Sequence, residues 1–576
     1  MSDQRKKNGK GGKDKSFGTY TVEITDLNNL GCGVGRLPAE AKDAAGLVVF
    51  VRGAVTGDIV KTEIIKMTSS FTVGRLLDVV KASPMRETET FCTAPEACGG
   101  CVYRHLKYED ELMSKHSRVS QAFKMAGLPD VVVRPVLSTG KTQGYRNKGM
   151  YPVRQGKNGV EAGFFAAKSH KLIPATSCAL QPEVFGEIVS CICQFFNQNR
   201  IPAYDEITGK GVLRHIYLRT AVDGALYVCL VINARELPGG KRIKDDLIYT
   251  LLGKFPRIVG ILLNINTEST NVVLGAKYVS LWGQSYLEDT LCGKRFRISG
   301  GSFYQVNHDA AEILYHTAAE MADFKGDEVL WDLYCGVGTI GLSMADRVRR
   351  LVGIEIVPEA VVCATENAKH NAELGLIPEG IAQFFCEDAT EAARIFAPAD
   401  RGDVPAPDIV IIDPPRKGTT PELIKEISRR GIKRVVYISC DPETLARDCK
   451  VFQDEGYVIG EVQPVDLFPR TGHVETVVLL SKGNTDSKKI RVEFSLEDMD
   501  MSEFQNDATY PQIKEHVLEH TGLKVSSLYI AQVKQKCGII ERENYNKPKS
   551  ENPKQPKCPP EKEKAIMEAL KYFGMI

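Results

Sequence analysis

The stretch "EVLWDLYCGVGTIGLSMA", Glu328 to Ala345, decides the fold. An apolar run of strand length, Val329–Leu333, leads into Gly336, Gly338 and Gly341 at G-x-G-x-x-G spacing, and a helical pattern follows. The same strand–loop–helix unit recurs in "RLVGIEIVPEAVVCATENAKHNAEL" (Arg350–Leu374), "DIVIIDPPRKG" (Asp408–Gly418) and "RVVYISCDPETLARD" (Arg434–Asp448). Such alternation predicts a doubly wound parallel sheet over residues 301–482. The last unit differs: Tyr457–Lys482 reads as two strands joined by a loop rather than by a helix.

Upstream, residues 17–83 read as short strands between Gly-rich turns, a small OB-like β-barrel. Residues 84–300 are mixed α/β. They hold a helix pattern over Tyr108–Gly127 and the cluster "GYRNKGMYPVRQGK" (Gly144–Lys157), whose interleaved Tyr, Arg and Lys suit an RNA groove or a solvated strand face equally. Residues 1–16 are a basic, Gly-rich tail without the apolar core of a secretory signal. Residues 483–576 form an extension: a strand at "KIRVEFSLEDM", two helices around a turn (510–538), a Pro/Lys-rich linker and a last short helix. With a net charge of +1, the 576-residue chain must bind nucleic acid, if at all, through local patches. No apolar run approaches membrane-spanning length. The 16 cysteines without an export signal point to a reducing, cytoplasmic setting. Cys191, Cys229, Cys363 and Cys386 lie in apolar neighbourhoods and read as small buried hydrophobes. No obligate protein partner is evident, so a monomer is expected.

Six motifs carry chemistry. In "CTAPEACGGC", Cys92, Cys98 and Cys101 are spaced C-x5-C-x2-C, and Gly99 and Gly100 let the backbone fold tightly. Such a set implies a metal, zinc or an iron–sulfur cluster alike, with Cys178 in "PATSCALQP" as the best fourth ligand. The glycine loop with Glu355 about 20 residues on suits a nicotinamide dinucleotide or S-adenosylmethionine (SAM). The hairpin-like ending of the sheet favours SAM. In "DIVIIDPPRKG", Asp413 stands at the tip of the fourth strand, backed by Pro414 and Pro415. Cys440 occupies the tip of the adjacent strand, where a thiolate can attack a ring carbon. Methylation at C5 of uracil needs such an attack, because thiolate addition at C6 makes C5 nucleophilic. A base must then take the C5 proton. "FPRTGHVETVVLL" offers Glu475, the preferred choice, and His473. Finally, "GGSFYQVN" (Gly300–Asn307) supplies Phe303 for stacking and the amides Gln305 and Asn307.

Together the SCDPETLARD, DPPR, SFYQVN, GHVET and C-x5-C-GG-C motifs resemble the bacterial RNA uracil-5-methyltransferase family, particularly its 23S rRNA branch, over roughly residues 17 to 482. The resemblance implies a TRAM barrel, a central RNA-binding domain and a Rossmann-like SAM domain. It implies Cys440 as nucleophile, Glu475 as proton-abstracting base, and SAM or substrate contacts at Gln305, Tyr334, Thr339, Glu355, Asp388 and Asp413. It also implies a [4Fe–4S] cluster on Cys92, Cys98, Cys101 and Cys178. Thr339 stands where many relatives have Asn, and Pro415 where some have Ala. The barrel and cluster motif, which the tRNA branch typically lacks, favour rRNA. The extension lies outside the family pattern.

Overall fold

The computed structural model describes residues 17–89, 91–94, 97–167, 169–269, 272–391, 404–482, 510–537 and 558–572. The basic tail, the "KIRVEFSLEDM" segment and most of the Pro/Lys linker lie outside the described residues. The chain divides into two compact units, residues 1–490 and 491–576.

The first unit opens with a closed five-stranded barrel of β1 (Thr19–Leu27), β2 (Cys32–Arg36), β3 (Val48–Arg52), β4 (Ile59–Met67) and β5 (Phe71–Lys81), in the order β1-β2-β3-β5-β4. Alternate residues Val22, Ile24, Val49, Val51, Val60 and Ile64 fill it, as the period of two requires.

A seven-stranded sheet comes next, from β6 (Lys148–Gly156), β7 (Gly159–Phe165), β8 (Leu172–Pro174), β9 (Leu213–Thr220), β10 (Leu226–Ile232), β11 (Ile258–Ile265) and β12 (Lys277–Gly283). Its order is β12-β11-β10-β9-β6-β7-β8. The helices Glu183–Gln198 and Gly240–Lys254 cover one face through Phe185, Ile188, Ile243 and Leu247. Tyr217, Tyr227 and Cys229 form a smaller core on the other. Both central strands are buried, so β10 reads LYVCLVI without polar alternation. The hairpin β13 (Tyr286–Leu291) and β14 (Lys294–Ser299) leads to the third layer.

That layer is the predicted doubly wound sheet: β15 (Val329–Leu333), β16 (Arg350–Glu355), β17 (Ala382–Cys386), β18 (Ile409–Ile412), β19 (Arg434–Ser439), β20 (Val458–Ile459), β21 (Gln463–Val465) and β22 (Glu475–Ser481). The order is β17-β16-β15-β18-β19-β22-β20, with β21 also on β22. β15 to β19 run parallel, whereas β22 runs antiparallel to β19 and β20, the ending its sequence predicts. Val329, Trp331 and Leu333 point into one apolar core, Leu330 into the other.

The helix Tyr108–Met125, although encoded ahead of the seven-stranded sheet, sends Val119, Ala122 and Phe123 into the first of these cores, beside Leu445, Cys449 and Phe452. The small-hydrophobe reading holds for the buried Cys191 and Cys229, but Cys386 is exposed and Cys363 half-buried. Cys386 is the last residue of a strand at the sheet's edge, where apolar sequence neighbours do not bring cover.

The second unit consists of helices Tyr510–Thr521, Ser527–Lys536 and Pro560–Tyr572 around Ile513, Val517, Ile530, Val533, Ile566 and Leu570. Among the described residues no helix is long and apolar enough to cross a membrane.

Candidate active site

The register of the sheet assembles the site. In the β19–β22 pair Ser439 stands opposite Thr476, and Cys440 and Glu475 are the residues next to that pair in the chain. Thr476 Oγ1 donates to Ser439 O at 2.9 Å and ties the two strands at that point. Beyond Cys440 the chain turns at once into the helix Pro442–Asp454. Asp441 caps it by accepting from Thr444 N at 3.0 Å, and Pro442 occupies the first turn, where its missing N–H costs nothing. Cys440 is thereby held at a strand-to-helix corner, half-buried.

Asp413 follows β18, the parallel neighbour of β19. The charges of Asp413, Cys440 and Glu475 are felt within one neighbourhood. Burial, then the charges of Glu475 and Asp413, push the Cys440 thiol up to about 11, and Arg416 opposes them. Burial, then Asp413, push the Glu475 carboxyl up to about 8, again against Arg416. Burial alone lifts Asp413 to about 7. Three groups that disfavour their charged forms stand together, and one cation, Arg416, tempers Cys440 and Glu475. Arg416 also donates to His473 Nε2 at 3.4 Å, and burial followed by Arg416 lowers the pKa of that imidazole. The sequence reading did not single out Arg416, although it follows the two prolines directly.

The glycine loop lies at the end of β15. Tyr334, Gly336 and Gly338 take φ of +66°, +57° and +83°, left-handed backbone that the two glycines adopt without strain. Gly341 admits no side chain, because an added Cβ would stand 2.8 Å from Asp332 Oδ2. That same oxygen accepts Gly341 N at 2.8 Å. Glu355, at the end of β16, accepts Gly336 N at 3.0 Å and Val357 N at 2.9 Å, so it braces the loop as well as presenting a carboxylate. Tyr334 is hydrogen-bonded to Thr419 Oγ1 at 3.2 Å, and Thr339 Oγ1 to Tyr315 at 3.2 Å. Asp388 accepts from Thr390 N and Oγ1 at 2.8 and 2.7 Å, which holds its carboxyl below the usual range.

Before the sheet, Gln305 is buried and Phe303 is 67% exposed. Asn147 fixes this segment by donating Nδ2 to Gln305 O (2.9 Å) and N to Val306 O (2.7 Å). Asn307 donates to Leu467 O at 3.1 Å and caps the helix His308–Ala322.

The loop that leads to Glu475, residues 466–472, is anchored by groups the sequence reading missed. Lys115 Nζ sits 2.7 Å from both Glu111 and Asp466 and donates to Phe468 O at 3.2 Å. Arg470 N donates to Glu111 at 2.7 Å, Tyr108 to Asp466 at 2.8 Å, and Tyr145 to Pro469 O at 2.9 Å. Burial works against the Lys115 ammonium, but Asp466 and Glu111 outweigh it and hold its pKa above the ordinary value. Arg118 joins the two halves of the site: it donates to Gly472 O at 2.7 Å and pairs through two nitrogens with Glu443 at 3.0 and 2.7 Å. The sequence signal was there in the spacing of Glu111, Lys115 and Arg118 on one helix, but their partners lie more than 300 residues away.

The cysteine group stands elsewhere. Burial, then the charges of Cys178, Cys92 and Cys98, push the Cys101 thiol up to about 12, so the four thiols share one neighbourhood. Gly99 packs with its Cα side against Ala167, where a Cβ would stand 3.0 Å from Ala167 Cα. Among the described residues no group of three or more His, Cys, Asp or Glu is placed to hold a metal ion.

Comparison with known proteins extends this geometry. The profile of the tRNA (uracil-5-)-methyltransferase family matches residues 261–483, and that of the TRAM domain residues 15–77. An uncharacterized RNA methyltransferase of Clostridium acetobutylicum is 36% identical over 479 residues, covering 81% of this chain and 98% of its own. Another from Halalkalibacterium halodurans is 36% identical over 466 residues, covering 80% and 97%. Among solved structures, the tRNA (uracil-54, C5)-methyltransferase of Pyrococcus abyssi, in complex with S-adenosyl-L-homocysteine, superposes with a TM-score of 0.62 at 25% identity. It covers 80% of this chain and 100% of its own. With a glycine loop, a strand-tip cysteine that feels the charge of a glutamate, and relatives aligned along nearly their whole length, the chain belongs to the RNA uracil-5-methyltransferase family.

Proposed function

We propose that the protein transfers the methyl group of SAM to C5 of a uridine in 23S rRNA, through a covalent adduct between Cys440 and uracil C6. The reading is supported by the pairing of Ser439 with Thr476, the chain neighbours of Cys440 and Glu475, and by the electrostatic effect of Glu475 and Asp413 on the Cys440 thiol. The Cys440 thiol releases its proton to solvent, and the thiolate bonds to C6. The electron pair moved to C5 takes the methyl from the sulfonium of SAM, leaving S-adenosylhomocysteine. Glu475 then removes the C5 proton, and the returning pair expels the thiolate and restores the ring. A carboxyl held near pH 8 is a far stronger base than a solvated one, which suits abstraction of a carbon-bound proton. Gln305, Tyr334, Thr339, Glu355, Asp388 and Asp413 would contact SAM or the uracil edge.

The thiols Cys92, Cys98, Cys101 and Cys178 fit a [4Fe–4S] cluster in donor type and in their shared neighbourhood. Protein purified without oxygen is expected to be brown, with visible absorbance that Cys101→Ser abolishes; a colourless zinc protein would remove this part of the reading.

A tRNA substrate is the second reading, favoured by the Pyrococcus abyssi neighbour, whose whole length aligns here. Mapping 5-methyluridine in 23S rRNA and tRNA from cells with and without the gene separates the two. Cys440→Ala must lose methylation of either RNA; methylation at the wild-type rate would end the proposal.

A further inference from the structure

Two cations outside the strand-tip site, Arg219 and Lys148, make no ion pair among the described residues, and a third, Arg146, makes none either, although its charge also acts on the Cys178 thiol. Arg219, 2% exposed, spends one nitrogen on Ser302 O at 2.9 Å, while its Nε and Nη1 have no hydrogen-bond partner among the described residues. Its guanidinium lies 6.0 Å from the ring centroid of Tyr217 and 5.8 Å from that of Tyr304. Lys148 stands directly opposite Arg219 in the β6–β9 register. Arg146 precedes Lys148 by two residues, and burial together with the charges of Arg219 and Arg146 lowers the Lys148 pKa to about 8. Like charges facing each other across a ladder destabilise a sheet, and a buried cation without a partner costs more. Asp289, on the adjoining hairpin, does not relieve them: it accepts Val222 N and Thr290 N and makes no ion pair with any of the three. Unrelieved positive charge of this kind is a built place for an anion.

Its location says which anion. Asn147, between Arg146 and Lys148, carries the two bonds to Gln305 O and Val306 O, and Arg146 bridges Asn307. Arg219 holds Ser302. The cations therefore border the Ser302–Asn307 segment, and the charge of Arg146 reaches His473 at the strand-tip site. We propose that Arg146 and Lys148, backed by Arg219, bind a backbone phosphate of the RNA strand next to the nucleotide being modified. The proposal rests on the methyltransferase reading for the identity of the strand, but its test does not depend on methyl transfer. A phosphodiester would supply the missing charge and keep the Lys148 ammonium protonated, and it would set the depth to which the strand enters. The carboxylate of SAM shares this anionic chemistry, so SAM affinity is the discriminating control.

The test uses the full chain with 23S rRNA and tRNA transcripts as probes, measuring Kd from 50 to 300 mM KCl. Lys148→Gln should weaken binding of the recognised transcript about 5- to 10-fold and flatten the slope of log K against log salt by about one; Arg146→Gln with Lys148→Gln should flatten it by about two. Lys148→Arg should bind as the wild type does, and SAM affinity should stay unchanged throughout. An unchanged salt slope in a folded Lys148→Gln protein overturns the site, as does a loss of SAM affinity in place of RNA affinity. If Lys148→Gln does not fold, a single methylphosphonate beside the target uridine replaces it: the wild-type slope must fall by about one, and an unaltered slope at every position tested is again fatal. Failure of Cys440→Ala to abolish methylation would strike the mechanism and leave these salt slopes standing.

Discussion

At the residue scale the site turns on burial. Cys440 and Glu475 hold their protons tightly in the free protein because neither charge is well solvated, Glu475 and Asp413 disfavour the thiolate, and Asp413 disfavours the Glu475 carboxylate. Methylation should therefore accelerate as pH rises through about 8, where Glu475, the proposed base, ionises, and initial rates from pH 6 to 9 measure this. Glu475→Gln should lower kcat by about 10²- to 10⁴-fold. It should also let a methylated Cys440–RNA adduct accumulate, visible as a slow band on a denaturing gel, since elimination waits on the C5 proton. The same shift fixes a stability effect. The folded chain retains a proton that the unfolded chain releases between the ordinary carboxyl value of 4.5 and about 8, so this contribution is full below 4.5 and lost as pH rises to 8. Glu475→Gln is expected to melt higher than the wild type at pH 8.5 and to lose most of that advantage at pH 5. Cys440, Glu475 and Asp413 were legible in the sequence because strand tips on a parallel sheet converge by topology. Arg416, which tempers Cys440 and Glu475, was not, because a lone arginine after a turn has no spacing signal.

At the scale of elements, two strands and one helix decide whether the site is assembled. The strand–glycine loop–helix units and the antiparallel ending could be read from period and punctuation alone. The role of the helix Tyr108–Met125 could not, because its partners are distant in the chain and its alternating charges look like a solvated face. Arg118 spans Gly472 and Glu443, three residues from the proposed base and nucleophile respectively. Arg118→Ala should lower kcat about 10- to 100-fold with SAM affinity retained, and Glu443→Gln less, as expected when reacting groups drift apart by an ångström or so. Lys115 is held between two buried carboxylates, with Glu111 pushed up to about 7 by burial despite its partner. Lys115→Met should cost about 3–5 kcal/mol in urea unfolding, because it strands buried charge rather than merely removing a bond.

At the scale of the whole molecule, the sequence showed the change of character near residue 483 but not the depth of the join among the parts before it. Residues 1–490 form one compact unit, and the three-helix unit has its own apolar core. A chain ending at residue 490 should fold, bind SAM as the full chain does and unfold at the same urea midpoint; a shifted midpoint would show that the last 86 residues support the first unit.

The long reach of Lys115 sets the order of events in synthesis. Its bond to Asp466 closes a separation of 351 residues, and the segment that bond anchors ends at Glu475. Contacts of such range form late, because loop closure must precede any gain from them. During translation the helix Tyr108–Met125 waits for a partner that emerges more than 300 residues behind it, and Cys440 leaves the ribosome before Glu475 does. Cys440 therefore meets Glu475 only when the unit is nearly complete. In refolding from urea, far-UV ellipticity should return well before the ability to form the RNA adduct, with the lag shortened little by added SAM.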